Sequence, residues 1–166
     1  MNAAKGVTAT FDLLPELTVH GFGNGRGIAT ATGIRCHVKV GETSGDCKEY
    51  YAAGTVVILT AAPNAGSVFT GFSGGGCGLS NRCQITMTSA TAVTATFSLV
   101  FDLTTAKNGS GTGAVTSTPI GISCGGDCTE SYVDGTSVAL KATPDFGSVF
   151  VSWNGCDSVM EICASY

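Results

Sequence analysis

The segment Met1-Asn-Ala-Ala-Lys-Gly-Val-Thr-Ala-Thr-Phe11 returns as Met87-Thr-Ser-Ala-Thr-Ala-Val-Thr-Ala-Thr-Phe97. This self-similarity constrains the fold more than any other feature, because a long fixed period means repeated modules with repeated cores. The two copies stand at different points of the cycle. Cys83-Gln-Ile-Thr86 leads into Met87, whereas the corresponding Cys163-Ala-Ser-Tyr166 ends the sequence. Placing Met1 after Tyr166 completes the second cycle without a gap. The expectation is a chain out of register with its own folding unit. Residues 1–11 are a strand donated to the preceding unit, 12–97 are a first module, and 98–166 are a second module lacking its last strand.

The rest of the cycle repeats in order. Leu17-Thr18 matches Leu103-Thr104, and Gly23-Asn-Gly-Arg-Gly27 matches Gly109-Ser-Gly-Thr-Gly113. A Gly-x-Gly-x-Gly run suggests a phosphate cradle only when a helix follows it. Here Ile28–Thr32 and Ala114–Thr118 read as strands, so a hairpin turn is expected instead. Gly33-Ile-Arg-Cys36 then matches Gly121-Ile-Ser-Cys124, and Tyr51 with Gly54-Thr55 matches Tyr132 with Gly135-Thr136. Val138, Leu140 and Ala142 alternate with Ser137, Ala139 and Lys141, the period of a half-buried strand. Val57, Leu59 and Ala61 take the same inward positions in the first copy, which leaves Val56 and Ile58 facing outward. Pro63–Phe69 and Pro144–Phe150 read as a turn leading into a further strand. Phe72 and Trp153, three residues on, are expected in the core rather than on a sugar-stacking surface, because small modules need their large side chains inside.

Composition agrees with strands. The chain has 24 glycines and only 12% charged residues, with many β-branched residues and few strong helix formers. Eight Lys and Arg face 12 Asp and Glu, which lacks the basic stripe of a nucleic-acid surface. No apolar run reaches the length of a membrane span. No charged segment followed by an apolar run reads as a signal peptide, so a processed protein or a piece of a longer array is expected.

Eight cysteines, four in each repeat, point to disulfides and an oxidising compartment. Tetrathiolate zinc is the rival reading, but structural zinc sites fix the gap within each cysteine pair. Here the gaps change between copies: Cys36 to Cys47 against Cys124 to Cys128, and Cys77 to Cys83 against Cys156 to Cys163. A disulfide asks only that two Cβ atoms meet. Four cysteines allow three connectivities; the local one (Cys36–Cys47, Cys77–Cys83, Cys124–Cys128, Cys156–Cys163) is expected, each bridge contributing roughly 2–4 kcal/mol, less for short loops. Neither His20 nor His37 has a counterpart in the other repeat, and no serine sits in a nucleophile elbow. Asp127, Asp134, Asp145 and Asp157 are not spaced as a calcium loop. No catalytic residue, metal or cofactor is therefore expected, and the chain is not expected to be an enzyme. Asn108-Gly-Ser110 is a possible glycosylation site on a turn.

Gly-Ile-x-Cys, Tyr-x-x-Gly-Thr, Pro-x-x-Gly-Ser-x-Phe and the closing Val-Thr-Ala-Thr-Phe, in this order and in both copies, resemble the divergent internalin B-type B-repeat family of bacterial extracellular tandem modules. The chain departs from that pattern at Ser152, usually glycine, and in the insertion Val38–Asp46. The resemblance implies a small β-rich module used as a spacer or adhesive unit, with no catalytic motif. The expected fold is all-β: two tandem disulfide-stapled modules, each a β-sandwich or β-grasp-like, the second completed by a strand from a neighbouring chain or repeat. The function expected is an extracellular or cell-surface structural protein that forms a filament or fibre by head-to-tail strand complementation. In the donated strand Val7, Ala9 and Phe11 face inward. Its partners are copies of itself or adjacent repeats. The alternative is an adhesin or carbohydrate-binding repeat within a longer covalent array, contacting glycans or a host surface.

Overall fold

A computed structural model describes residues 6–155 and the backbone of 162–165. The chain divides into two compact units: residues up to Asn64 together with Phe69–Phe97, and Ala65–Val68 together with the chain from Ser98 onward. Among the described residues every regular element is a strand.

The strands of the first unit are β1 (Glu16–Phe22), β2 (Arg26–Ala31), β3 (Ile34–Lys39), β4 (Glu42–Asp46), β5 (Lys48–Tyr50), β6 (Val56–Pro63), β7 (Ser67–Ser73) from Phe69 onward, β8 (Arg82–Thr86) and the first half of β9 (Thr91–Thr104). One sheet runs β4-β3-β2-β6-β8, and the other joins β5, β1, β9 and β7. Strand alternation turns one face of each sheet inward. Leu17 and Val19 of β1, with Val93, Ala95 and Phe97 of β9, meet Ala29, Ile34, Cys36, Val38, Val57, Leu59, Ala61 and Ile85 of the other sheet in a single core. The outward Val56 and Ile58 are exposed as the alternation requires.

In the second unit the strands are the end of β9 from Ser98, then β10 (Gly113–Thr118), β11 (Ser123–Cys124), β12 (Thr129–Val133), β13 (Val138–Pro144) and β14 (Ile162–Ser165). One sheet runs β11-β10-β13-β14, and β12 pairs with β9. The repeat holds at the level of register. Leu17↔Glu49 in the first unit becomes Leu103↔Glu130 in the second. Ala29↔Ala61 becomes Val115↔Ala142, and Leu59↔Cys83 becomes Leu140↔Cys163. Val19 N–H donates to the Cys47 carbonyl at 2.8 Å, as Thr105 N–H does to that of Cys128. The second core is smaller: Val115, Ile122, Cys124, Val138 and Leu140, with Leu103, Tyr132 and Trp153 only partly buried against it.

Two expectations are corrected. The Gly23–Gly27 run is not a hairpin turn, because β1 and β2 do not pair with each other; it carries the chain from one sheet of the first unit to the other. The strand expected after Pro144 does not form: residues 148–154 have no regular structure, although the matching segment is β7. A strand needs a partner's hydrogen bonds, and β7's partner is the first half of β9. The insertion Val38–Asp46 extends β3 and adds β4, turning through Val40 (φ 52°) and Gly41 (φ 76°). Two successive positive φ values are what a tight hairpin with right-handed strand twist demands.

Candidate functional site

Residues 91–97 close the first unit. They run parallel to β1 in the register Leu17↔Thr91 to Phe22↔Thr96. On the other edge lies β7, whose Thr70 hydroxyl donates to the Thr96 carbonyl at 3.3 Å. Val93, Ala95 and Phe97 are fully buried. The Phe97 ring meets Phe69 at 5.5 Å between centroids, and Phe69 meets Phe72 at 4.7 Å. These edge-on contacts suit aromatic quadrupoles.

The glycines around this strand are shaped to it. A Cβ on Gly23 (φ +89°) would stand 2.1 Å from the Phe97 carbonyl oxygen, and one on Gly27 would stand 2.2 Å from the Phe97 ring. Gly25 N–H donates to the same carbonyl at 2.8 Å. A Cβ on Gly74 (φ +83°) would stand 2.4 Å from the Ala92 carbonyl oxygen. The positive φ and the close backbone approach both exclude a side chain. Spacing alone identifies these glycines but not the strand that requires them.

The second unit repeats this surround. Leu103-Thr104 matches Leu17-Thr18 and pairs with β12 on one side. Residues 105–108, which match Val19–Phe22 of β1, form no strand, and neither do 148–154. Among the described residues no strand lies along either. Gly109 (φ +104°) and Gly155 (φ +84°), the counterparts of Gly23 and Gly74, keep the left-handed backbone, yet a Cβ on either meets nothing within 4 Å. Phe150 stacks on Trp153 at 5.2 Å, which reproduces two of the three rings in the Phe72–Phe69–Phe97 set. Val149 and Val151 are exposed, and their counterparts Val68 and Thr70 are half-buried. The Trp153 indole Nε1–H is buried without an acceptor among the described residues, a costly state for a polar group.

The segment carrying Val7, Ala9 and Phe11 has no regular structure over its described residues 6–11 and lies exposed. Val7 is 92% and Phe11 91% accessible, against 0% for Val93 and Phe97, which stand in the same Val-Thr-Ala-Thr-Phe run.

Of the cysteines, Cys36 is joined to Cys47, Cys77 to Cys83 and Cys124 to Cys128, with Cα atoms 4.5, 5.4 and 4.3 Å apart. Bonds of this kind persist in oxidising compartments. Cys156, Asp157 and the side chain of Cys163 lie outside what is described, so the expected Cys156–Cys163 bridge does too. Asn108 is exposed and its Oδ1 accepts from Gly109 N–H at 2.7 Å. Asp127, Asp134, Asp145, His20 and His37 are exposed, and the structure brings none of them together as a metal site among the described residues. At the surface the Glu16 carboxyl is held down at about 2. Hydrogen bonding to Tyr50 is the largest cause, followed by the Thr18 hydroxyl at 2.8 Å and the Lys48 ammonium at 3.3 Å. Its counterpart Asp102 instead accepts from the Ser131 hydroxyl. Both contacts tie a pairing edge, since Glu16 is the register partner of Tyr50 and Asp102 that of Ser131. No helix among the described residues is long and apolar enough to cross a membrane.

The model of the divergent InlB B-repeat domain matches residues 37–100 and again 103–165. No curated protein and no solved structure matches the chain. The two matches lie in tandem, cover most of the sequence and contain all eight cysteines except Cys36. The chain is a tandem-repeat member of the divergent InlB B-repeat family.

Proposed function

We propose that this chain is a structural subunit of an extracellular bacterial filament or surface fibre, joined head to tail by strand donation. Residues 5–11 of one copy lie in the second unit of the next, between 103–108 and 148–154. The register follows from the first unit by the repeat offset: Leu103↔Lys5, Thr105↔Val7 and Lys107↔Ala9, with Phe11 completing the ring set of Phe150 and Trp153. The observation that carries this reading is one sequence in two states. Val-Thr-Ala-Thr-Phe is buried as the closing strand at 93–97 and exposed at 7–11, while the second unit holds the flanks and glycines that such a strand uses. Strand addition supplies backbone hydrogen bonds for affinity and alternate side chains for specificity. A head-to-tail contact of this kind propagates unless its rotation happens to close a ring. The role is non-catalytic.

Deleting residues 1–11 is expected to leave monomers at concentrations where the intact chain assembles, measured by sedimentation velocity and electron microscopy. Fibres that survive the deletion contradict strand donation. A second reading is favoured by one observation: the first unit takes its closing strand from the chain that directly follows β8. In a longer covalent array the second unit takes its strand in the same way, and the modules then act as spacers or as an adhesive repeat. Denaturing electrophoresis of the native material separates the two, since a strand-donated fibre collapses to single chains and a covalent array does not.

A further inference from the structure

The second unit contains a cavity of about 250 Å³ lined by Leu103, Tyr132, Gly135, Thr136 and Val138, together with Phe101, Asp102, Val133 and Asp134. The first five match Leu17, Tyr51, Gly54, Thr55 and Val57 of the first unit through the repeat, whereas Phe101 and Asp134 stand where that unit has Pro15 and Ala53. There the corresponding place is filled. Met87 is fully buried in one cluster with Leu17, Tyr51 and Val57. Its N–H donates to the Thr55 carbonyl and its carbonyl accepts from Gly54 N–H, both at 2.8 Å. Met87 thus stands at the entrance to the closing strand, pinned by its backbone and anchored by its side chain.

We propose that the cavity at Gly135-Thr136 is a methionine socket, and that its occupant is Met1 of a second copy. This rests on the strand-donation reading and extends it from the strand to the residue that anchors it. By the same register, Met1 N–H donates to the Thr136 carbonyl, Gly135 N–H donates to the Met1 carbonyl, and the thioether lies on Leu103 and Val138. Val138 is buried in the second core and Leu103 only partly so, so the socket offers an apolar side chain with surface still to cover. An unbranched, flexible thioether fills such an irregular space with little strain. Met1 sits six residues before Val7, so strand and anchor bind as one segment, and the anchor fixes the register that a run of alternating small residues leaves weakly specified.

The test uses the full chain carrying Phe11→Asp as acceptor. Phe11 is exposed, so this change leaves both units folded while blocking self-donation. The probes are acetylated peptides of residues 1–11, either natural or with Met1→Ser or Met1→Leu. The Met1→Ser peptide is expected to bind at least about 30-fold more weakly than the natural one, and the Met1→Leu peptide within about 5-fold of it. The Met1 methyl of the bound natural peptide is expected to show nuclear Overhauser contacts to Leu103 and Val138 methyls. Equal binding of the natural and Met1→Ser peptides overturns the socket and leaves strand donation standing. Absence of binding by the natural peptide overturns both.

Discussion

Phe97→Ala is expected to destabilise the first unit by about 3–5 kcal/mol, the usual cost of removing a fully buried phenylalanine. Phe97 has no accessible surface, its ring touches Phe69, and the backbone of Gly23 and Gly27 is moulded to it. The same substitution at the other copy, Phe11→Ala, is expected to leave the denaturation midpoint of the isolated chain unchanged, because Phe11 is 91% accessible there. Its effect appears in assembly. If Phe11 takes the place in the second unit that Phe97 takes in the first, the critical concentration for polymerisation rises by about 100-fold or more. Urea denaturation followed by far-ultraviolet circular dichroism and by tyrosine fluorescence, to which Tyr50 and Tyr51 of the first unit contribute, measures the first effect, and sedimentation against concentration measures the second. Equal destabilisation of the monomer by both substitutions contradicts the exposed state of residues 7–11.

The second large effect concerns joining the ends. Moving the sequence Met1–Phe11 from the front of the chain to a position directly after Tyr166 supplies the second unit with a strand from its own chain. Burying one valine and one phenylalanine contributes roughly 3–6 kcal/mol, and tethering removes most of the association cost. The rearranged chain is expected to be monomeric at every concentration, with the second unit more stable by that order. Its denaturant slope is expected to increase, since more surface is exposed on unfolding. Amide exchange at 105–108 and 148–154 is expected to slow markedly, because these segments acquire strand hydrogen bonds. Continued assembly of the rearranged chain contradicts the account.

The sequence makes the periodic elements legible. Alternation alone places Val57, Leu59 and Ala61 inward with Val138, Leu140 and Ala142, and it places Val93, Ala95 and Phe97 on one face. What alternation cannot show is which strands meet. β1 pairs in parallel with a strand some seventy residues away, from Leu17↔Thr91 onward, and no local signal marks such a partner. The glycine run illustrates the consequence. Gly23, Gly25 and Gly27 look like a hairpin because glycine spacing reports only backbone freedom, whereas their positions answer to Phe97, a distant residue. Residues 148–154 begin with the same Ser-Val-Phe as β7 and still form no strand, because strand formation is decided by the neighbour. Met87 was similarly opaque. It reads as one apolar residue among many until its two backbone bonds to Gly54 and Thr55 are seen.

The central claim is that another chain closes the second unit, and register-specific cross-linking between chains tests it most directly. Val19 and Val93 are register partners with both side chains buried, and their counterparts are Thr105 and Val7. Cα atoms of strand partners lie within the range that a disulfide spans. A chain carrying Thr105→Cys is mixed with one carrying Val7→Cys under mild oxidation, and separately with one carrying Thr8→Cys, whose side chain faces the other way. The account predicts a covalent heterodimer with Val7→Cys and little with Thr8→Cys. No heterodimer, or equal yields from the two, contradicts it.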